Sequence, residues 1–308
     1  MEQRSIGSLT VSLAGLGTNN FGRRLDAAET RRVVEAALAA GVTHFDTADI
    51  YGDGLSEEYL GRALGRRRDE VTIASKFGYH GAPRRARGQE DWVPYGLEAT
   101  LQRLGTDRLD VFYYHKPDPR TPLLETLRVL NGLVDRGLVR ELGCSNFTAA
   151  QLEEAARAAR EHGLRGFAVV ENRYSVLERA PEKDGVLAVA RGLGLAFVPF
   201  YPLASGLLSG AYRRGRPTPR VSRLGDGRPA EEVVGRDRLD VVERLAAYAE
   251  ARGHTLLELS LSYLAAHAPV ATVIAGATSA EQVAANAAAT GEWALTAGEL
   301  DEVVALLA

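Results

Sequence analysis

Four side chains in this sequence have types and placement suited to moving a proton: Asp46 and Tyr51 in "THFDTADIYG" (43–52), Lys76 in "VTIASKF" (71–77), and His115 in "LDVFYYHK" (109–116). A tyrosine, with a pKa near 10, is a poor acid at neutral pH. An ammonium beside it stabilises the phenolate and lowers that pKa, and an aspartate beside the lysine holds the ammonium in place. A histidine can hydrogen-bond a substrate oxygen. Together they would deliver a proton to a carbonyl oxygen while a hydride reaches the carbon. Each residue alone also has an ordinary reading: Asp46 as a helix cap, Lys76 as a loop charge, His115 as a core histidine, Tyr51 as a packing aromatic. A metal reading has less behind it. His44 and Asp46 form only an H-x-D pair, and no H-E-x-x-H occurs.

The four can act together only if the fold brings them to one face. Short β-branched or apolar runs recur at 11–18, 42–48, 71–77, 109–116, 139–146, 166–175, 195–201 and 271–278. Their density of buried residue types suits strands covered on both sides, as in a parallel sheet. Helical patterns separate them. In 27–41, Val33, Val34, Ala37 and Leu38 share one face and Gly41 stops the helix; 121–137 and 148–163 behave alike, with Thr121 and Thr148 as expected N-caps and Pro122 at a first helical position. Eight strands alternating with helices predict an α/β fold of the (β/α)8 TIM-barrel type, one unit over 1–308. A doubly wound sheet is the alternative. The first strand is not followed by G-x-G-x-x-G, which weakens that alternative. The Gly-, Pro- and Arg-rich stretch 212–237 reads as a long βα loop after strand 7, the kind that often forms a lid. In such a barrel, polar residues at the C-terminal ends of strands converge on a single site. Asp46, Lys76, His115, Ser145, Asn146, Glu171 and Asn172 all stand at such ends.

Composition narrows the function class. The chain has 308 residues, 45% hydrophobic and 25% charged, with a net charge of −3. That balance gives no argument for nucleic acid as a partner. The arginines at 66–68 and 84–87 read as solvated loop faces. The single cysteine, Cys144, excludes an internal disulfide and reads as a small buried filler. The start of the chain has no apolar signal core and no window has the apolar length of a membrane span, so a cytoplasmic location is expected. The sequence is silent on oligomeric state.

The strings "FDTADIYG" (45–52), "ASKFG" (74–78), "LDVFYYHKPD" (109–118), "GCSNF" (143–147), "NRYSVLER" (172–179), "PLASGLLSG" (202–210) and "GATSAEQVAAN" (276–286) together resemble the aldo-keto reductases. These are NAD(P)H-dependent carbonyl reductases on a (β/α)8 barrel, and the strings occur in the family's order along nearly the whole chain. The resemblance implies that Tyr51 is the general acid/base, that Lys76 and Asp46 tune it, and that His115 orients the carbonyl. It also implies a cofactor site. Ser145 and Asn146 match residues that hold the nicotinamide carboxamide, Phe200 an aromatic that stacks on the ring, and the turn at Leu203, Ser205 and Gly206 a pyrophosphate cradle. Thr278, Ser279, Gln282 and Asn286, after Gly276, match the adenosine and ribose-phosphate contacts. Thr18 and Asn19, after the first strand, are further candidates. Thr278 or Ser279 could also cap the following helix, a role compatible with binding. Phe21, Tyr79 and Trp92 are expected to wall the substrate pocket.

The chain departs from the family pattern in places. Glu171 stands where glutamine is usual, so it would contact the carboxamide or else turn away to pair with a cation such as Arg173. Gly276 and Gln282 replace a lysine and an arginine that some branches use for the 2′-phosphate, yet NADP(H) is expected over NAD(H). Tyr201 replaces a common serine. The expected activity is reduction of a small aldehyde or ketone. The alternative is a nucleotide-sensing regulatory subunit with little turnover.

Overall fold

The computed structural model describes residues 1–79, 88, 92–220 and 223–307. Among these, strands β1 (Gln3–Ile6) and β2 (Leu9–Ser12) form an antiparallel hairpin. Eight further strands close into a parallel barrel: β3 (Ala14–Gly17), β4 (His44–Asp46), β5 (Thr72–Phe77), β6 (Leu109–Tyr114), β7 (Val139–Ser145), β8 (Val169–Arg173), β9 (Ala196–Phe200) and β10 (Val273–Gly276). Their order is β10-β3-β4-β5-β6-β7-β8-β9, with β10 paired to both β3 and β9. The predicted (β/α)8 barrel is therefore the fold.

Alternation along each strand divides the core in two. Ala74, Val111, Tyr113, Val169, Val198 and Ile274 point inward and fill the barrel. Ile73, Phe77, Phe112, Tyr114, Leu142, Cys144, Val170 and Phe197 point outward and pack beneath the helices. Each fully buried side chain of this kind contributes about 1.5–3 kcal/mol relative to exposure. Ile6, Leu9 and Val11 of the hairpin join the inner cluster. The hairpin therefore closes the barrel at the end opposite the candidate residues.

Several local expectations need correction. The run 11–18 is not one strand. It divides at Leu13, where Ser12 Oγ donates to Ala14 O (2.6 Å) and accepts from Thr43 N (2.8 Å). Ser12 thus redirects the chain, and neither Gly nor Pro marks the bend. Thr121 is not an N-cap: the helix is Leu123–Asp135 with Pro122 at the cap position and no side-chain cap. Thr148 does cap Ala149–Glu161, in a reciprocal box with Gln151. Asp26 and Glu29 form the same box at Ala27–Ala39, worth about 1 kcal/mol. That helix runs out at the left-handed Gly41 (φ 81°), as the sequence suggested. The stretch 212–237 follows β9 but contains a short helix, Ala230–Val234. Arg68 is no solvated charge, since its guanidinium pairs with Asp110 (2.8 Å) and donates to Arg108 O (2.9 Å). Arg84, Arg85 and Arg87 lie outside the described residues.

Candidate active site

Inward-facing positions at the C-terminal ends of neighbouring strands bring the four proton-handling candidates together. Asp46 is the last residue of β4 and Lys76 the next to last of β5. His115 directly follows β6, and its backbone N–H donates to Phe77 O (2.8 Å). Tyr51 opens a tight turn (Tyr51–Gly54) after β4. Lys76 Nζ donates to Asp46 Oδ1 and to Thr47 O (2.9 Å). It lies 5.5 Å from the centre of the Tyr51 ring and 5.6 Å from that of Tyr113. His115 stands edge-on to Tyr51, ring centres 6.5 Å apart, and the Tyr79 ring packs against it at 4.8 Å.

A third charged group joins them. Glu171 Oε2 is 3.3 Å from Lys76 Nζ, close enough to pair but without hydrogen-bond alignment. Arg173, the alternative partner, pairs instead with Glu178 (3.2 Å). Burial pushes the Glu171 carboxyl up to about 8, helped by the negative charge of Asp46 and opposed by Lys76. Burial raises Asp46 as well, again against Lys76. Burial alone would lower the Lys76 pKa, but Asp46 and Glu171 outweigh it and hold the ammonium charged. One expectation is reversed here. Tyr51 is raised, not lowered, because burial and the two carboxylates exceed the pull of Lys76.

Of these groups Asp46, Tyr51 and Glu171 line a cavity of 520 Å³, together with Thr18, Asn19, Phe200, Leu203, Ser205, Gly206, Gly276, Thr278, Gln282 and Asn286, among others; Lys76 and His115 do not line it. Some of these side chains are already engaged. Thr18 Oγ1 donates to Asp46 O (2.9 Å) and meets Ser56 Oγ (2.8 Å), so it braces β3 against β4. Gln282 Oε1 accepts from Thr278 N (2.9 Å) and Thr278 Oγ1 (3.1 Å). Ser279 is the N-cap of Ala280–Ala289, its side chain accepting from Gln282 N, and it does not line the cavity. Ser145 and Asn146 do not line it either; Asn146 Nδ2 donates to His115 O and Ser145 Oγ, both at 3.0 Å. Phe21 is fully buried in the outer core and presents no surface to the cavity. Trp92 begins the helix Trp92–Leu104 with its ring against Tyr95 (5.6 Å).

After β9 the backbone is forced into unusual conformations. Tyr201, Ala204, Ser205 and Gly206 have φ of 64°, 47°, 65° and 94°. For non-glycine residues this costs about 1–3 kcal/mol each and is found where a loop must grip something. The amides of Ala204 and Gly206 donate to Tyr201 O (3.0 Å) and Leu203 O (2.8 Å), which fixes the turn.

The sequence reading missed Arg223. It lines the cavity, donates to Asn19 Oδ1 (2.6 Å) and stands 5.1 Å from the centre of the Tyr201 ring, with Arg173 at 4.5 Å from the same ring. Its loop could be flagged for arginine content, but which arginine turns inward depends on tertiary packing. Among the described residues no group of three or more His, Cys, Asp and Glu could hold a metal, and no helix is long and apolar enough to cross a membrane.

Comparison with known proteins agrees with this architecture. The profile of the aldo/keto reductase family matches residues 14–308. A probable voltage-gated potassium channel subunit beta of Oryza sativa subsp. japonica is 33% identical over 296 residues, covering 93% of this chain and 90% of that protein. An aldo-keto reductase of Strobilurus tenacellus is 34% identical over 280 residues (88% and 79%). An L-glyceraldehyde 3-phosphate reductase of Escherichia coli strain K12 is 30% identical over 318 residues (98% and 91%). With the barrel, the strand-end residues and a profile match over nearly its whole length, this chain belongs to the aldo/keto reductase family, a family of oxidoreductases.

Proposed function

We propose that this protein reduces an aldehyde or ketone to an alcohol, with NADPH as hydride source and Tyr51 as proton donor. The convergence of Tyr51, Lys76, Asp46 and His115 at one mouth of the barrel carries this reading. A bound nicotinamide supplies the hydride. Tyr51 gives its hydroxyl proton to the carbonyl oxygen, and the phenolate left behind faces the Lys76 ammonium 5.5 Å from its ring centre. Asp46 and Thr47 O fix that ammonium. His115 holds the substrate oxygen, its ring kept in place by Tyr79. The phenolate then regains a proton from solvent. Tyr79 and Trp92 are the proposed substrate walls.

The cavity fits a dinucleotide. Phe200 and Glu171 both line the cavity, and the turn at 201–206, with Leu203 and the Ser205 hydroxyl on the cavity wall, is the proposed seat of the pyrophosphate. Asn19 Oδ1 lies 3.7 Å from where a Cβ on Gly276 would stand, so Arg223, bonded to Asn19, sits over the end of β10. That position supports NADP(H) over NAD(H): a guanidinium there can bind the extra phosphate in place of the cations missing at 276 and 282.

The relative named as a probable channel subunit brings a second reading, a nucleotide sensor with little turnover. The intact four-residue set favours catalysis. NADPH consumption with 4-nitrobenzaldehyde tests it. Turnover above background that disappears in Tyr51→Phe supports the enzyme, whereas tight NADPH binding without turnover supports the sensor.

A further inference from the structure

Glu171 is the third residue of β8 and points into the barrel, with Ser145 of β7 and Val198 of β9 at the same level. Its carboxylate and that of Asp46 flank one ammonium, and all three side chains are at least 98% buried. The other titratable or charged groups coupled to this cluster are Tyr51 and Asp49 on the β4 loop, His44 on β4, Tyr113 on β6, and Arg223, whose positive charge acts on Tyr51. At this level β7 and β9 present Ser145 and Val198, which carry no charge, and one step further Phe200 pairs with Arg173.

We propose that Glu171 is a positioning residue for proton transfer, a second counter-ion on Lys76 that competes with the Tyr51 phenolate and keeps the tyrosine protonated. A phenolate is stabilised by whatever part of the ammonium's field other anions do not neutralise. With Asp46 alone, the cluster would be neutral and a phenolate would make it −1. With Glu171 also ionised, it would already be −1, and a phenolate would make it −2 around a single ammonium. The charge state of Glu171 changes near pH 8, inside the working range of an enzyme. Above that pH the ionised carboxylate holds the proton on Tyr51, so reduction continues to higher pH. Alcohol oxidation needs the phenolate as a base and is deferred. A glutamine there would carry no charge and exert no such hold.

The inference rests on Tyr51 being the proton donor, and its test separates the two. Glu171→Gln is nearly isosteric. Its pH–rate profiles for reduction and for alcohol oxidation should both move to lower pH by about one to two units, the effect of one charge at ~6 Å and an effective dielectric of ~20. In cofactor-free protein carrying 13C at tyrosine Cζ, the Tyr51 resonance, identified by its loss in Tyr51→Phe, should titrate at correspondingly lower pH. A purely structural role would scale the rate without moving the limbs. If Tyr51→Phe is inactive and the profiles and resonance of Glu171→Gln superimpose on those of the parent, the inference is wrong and the proposed function stands. If Tyr51→Phe is fully active, the proposed function falls and takes the inference with it. Should Glu171→Gln lose its cooperative thermal transition, Glu171→Asp replaces it. That change withdraws the charge by one methylene and should move the limbs the same way by a smaller amount; unmoved limbs would again overturn the inference.

Discussion

Replacing Lys76 with methionine removes the cation that Asp46 and Glu171 share, and the consequence for stability can be worked from the structure. The two carboxylates are a coupled pair beside one ammonium. While Lys76 balances one negative charge, the folded pair keeps one proton, up to about pH 8. Without Lys76 neither carboxylate has a cation within reach, and the folded pair keeps two. The unfolded chain releases both protons above its ordinary carboxylate range, near pH 4–4.5. Both folded-state pKa values are raised, so the stability they confer is fully present below that range and is lost as pH climbs toward the folded values. The variant holds one more proton than the parent. Its stability should therefore fall an additional ~1.4 kcal/mol per pH unit. From pH 5 to pH 8 the gap between variant and parent should widen by about 4 kcal/mol, comparable to the ~3–5 kcal/mol for breaking a buried ion pair. Urea unfolding followed by circular dichroism at pH 5, 6.5 and 8 measures it. A gap that stays constant across these three pH values would refute the three-group cluster. The same variant should lose carbonyl reduction, because Tyr51, already raised by burial, loses the charge that opposes that rise.

Other outcomes follow from the same geometry. Tyr51→Phe should lower reduction by about 10²–10⁴-fold while leaving NADPH affinity, read by fluorescence quenching, within twofold; a parent-like rate would remove Tyr51 from the reaction. Glu171→Gln should raise the ratio of NADPH to NADP⁺ affinity, since an anion near the ring favours the oxidised, cationic form by up to about 3 kcal/mol, and equal ratios by calorimetry at pH 8.5 would count against that contact. Arg223→Ala should weaken NADPH by about tenfold or more while changing NADH little, in line with a charge-assisted phosphate contact worth about 1.5–3 kcal/mol; equal losses for both would move Arg223 away from the extra phosphate. Gly61→Ala should destabilise the fold by about 1–3 kcal/mol, because the new Cβ would meet Leu104 O at 2.1 Å; an unchanged melting temperature would contradict the close helix contact.

The barrel was legible because each strand buries both faces and each helix shows one apolar stripe, both local properties of sequence. The strand-end positions of Asp46, Lys76, His115 and Glu171 followed from the same periodicity, as period-two alternation fixes which residues point inward once a strand end is known. Bends set by single hydrogen bonds were not legible. Ser12 divides one apolar run into hairpin and barrel strand through its hydroxyl, and Pro122 takes the cap position expected of Thr121. Nor could the sequence choose among partners brought close only by closure of the sheet. Glu171 had Arg173 two residues away on the same strand face, yet that arginine ends the strand and turns to the Tyr201 ring and Glu178, which leaves Lys76, far off in the chain, as the neighbour across the barrel. The same closure raises Tyr51 rather than lowering it. Residue order and strand periodicity place these chemistries at the barrel mouth. Their charge states come from the closed barrel, because desolvation and Coulomb energy depend on distances between groups that the chain order does not contain.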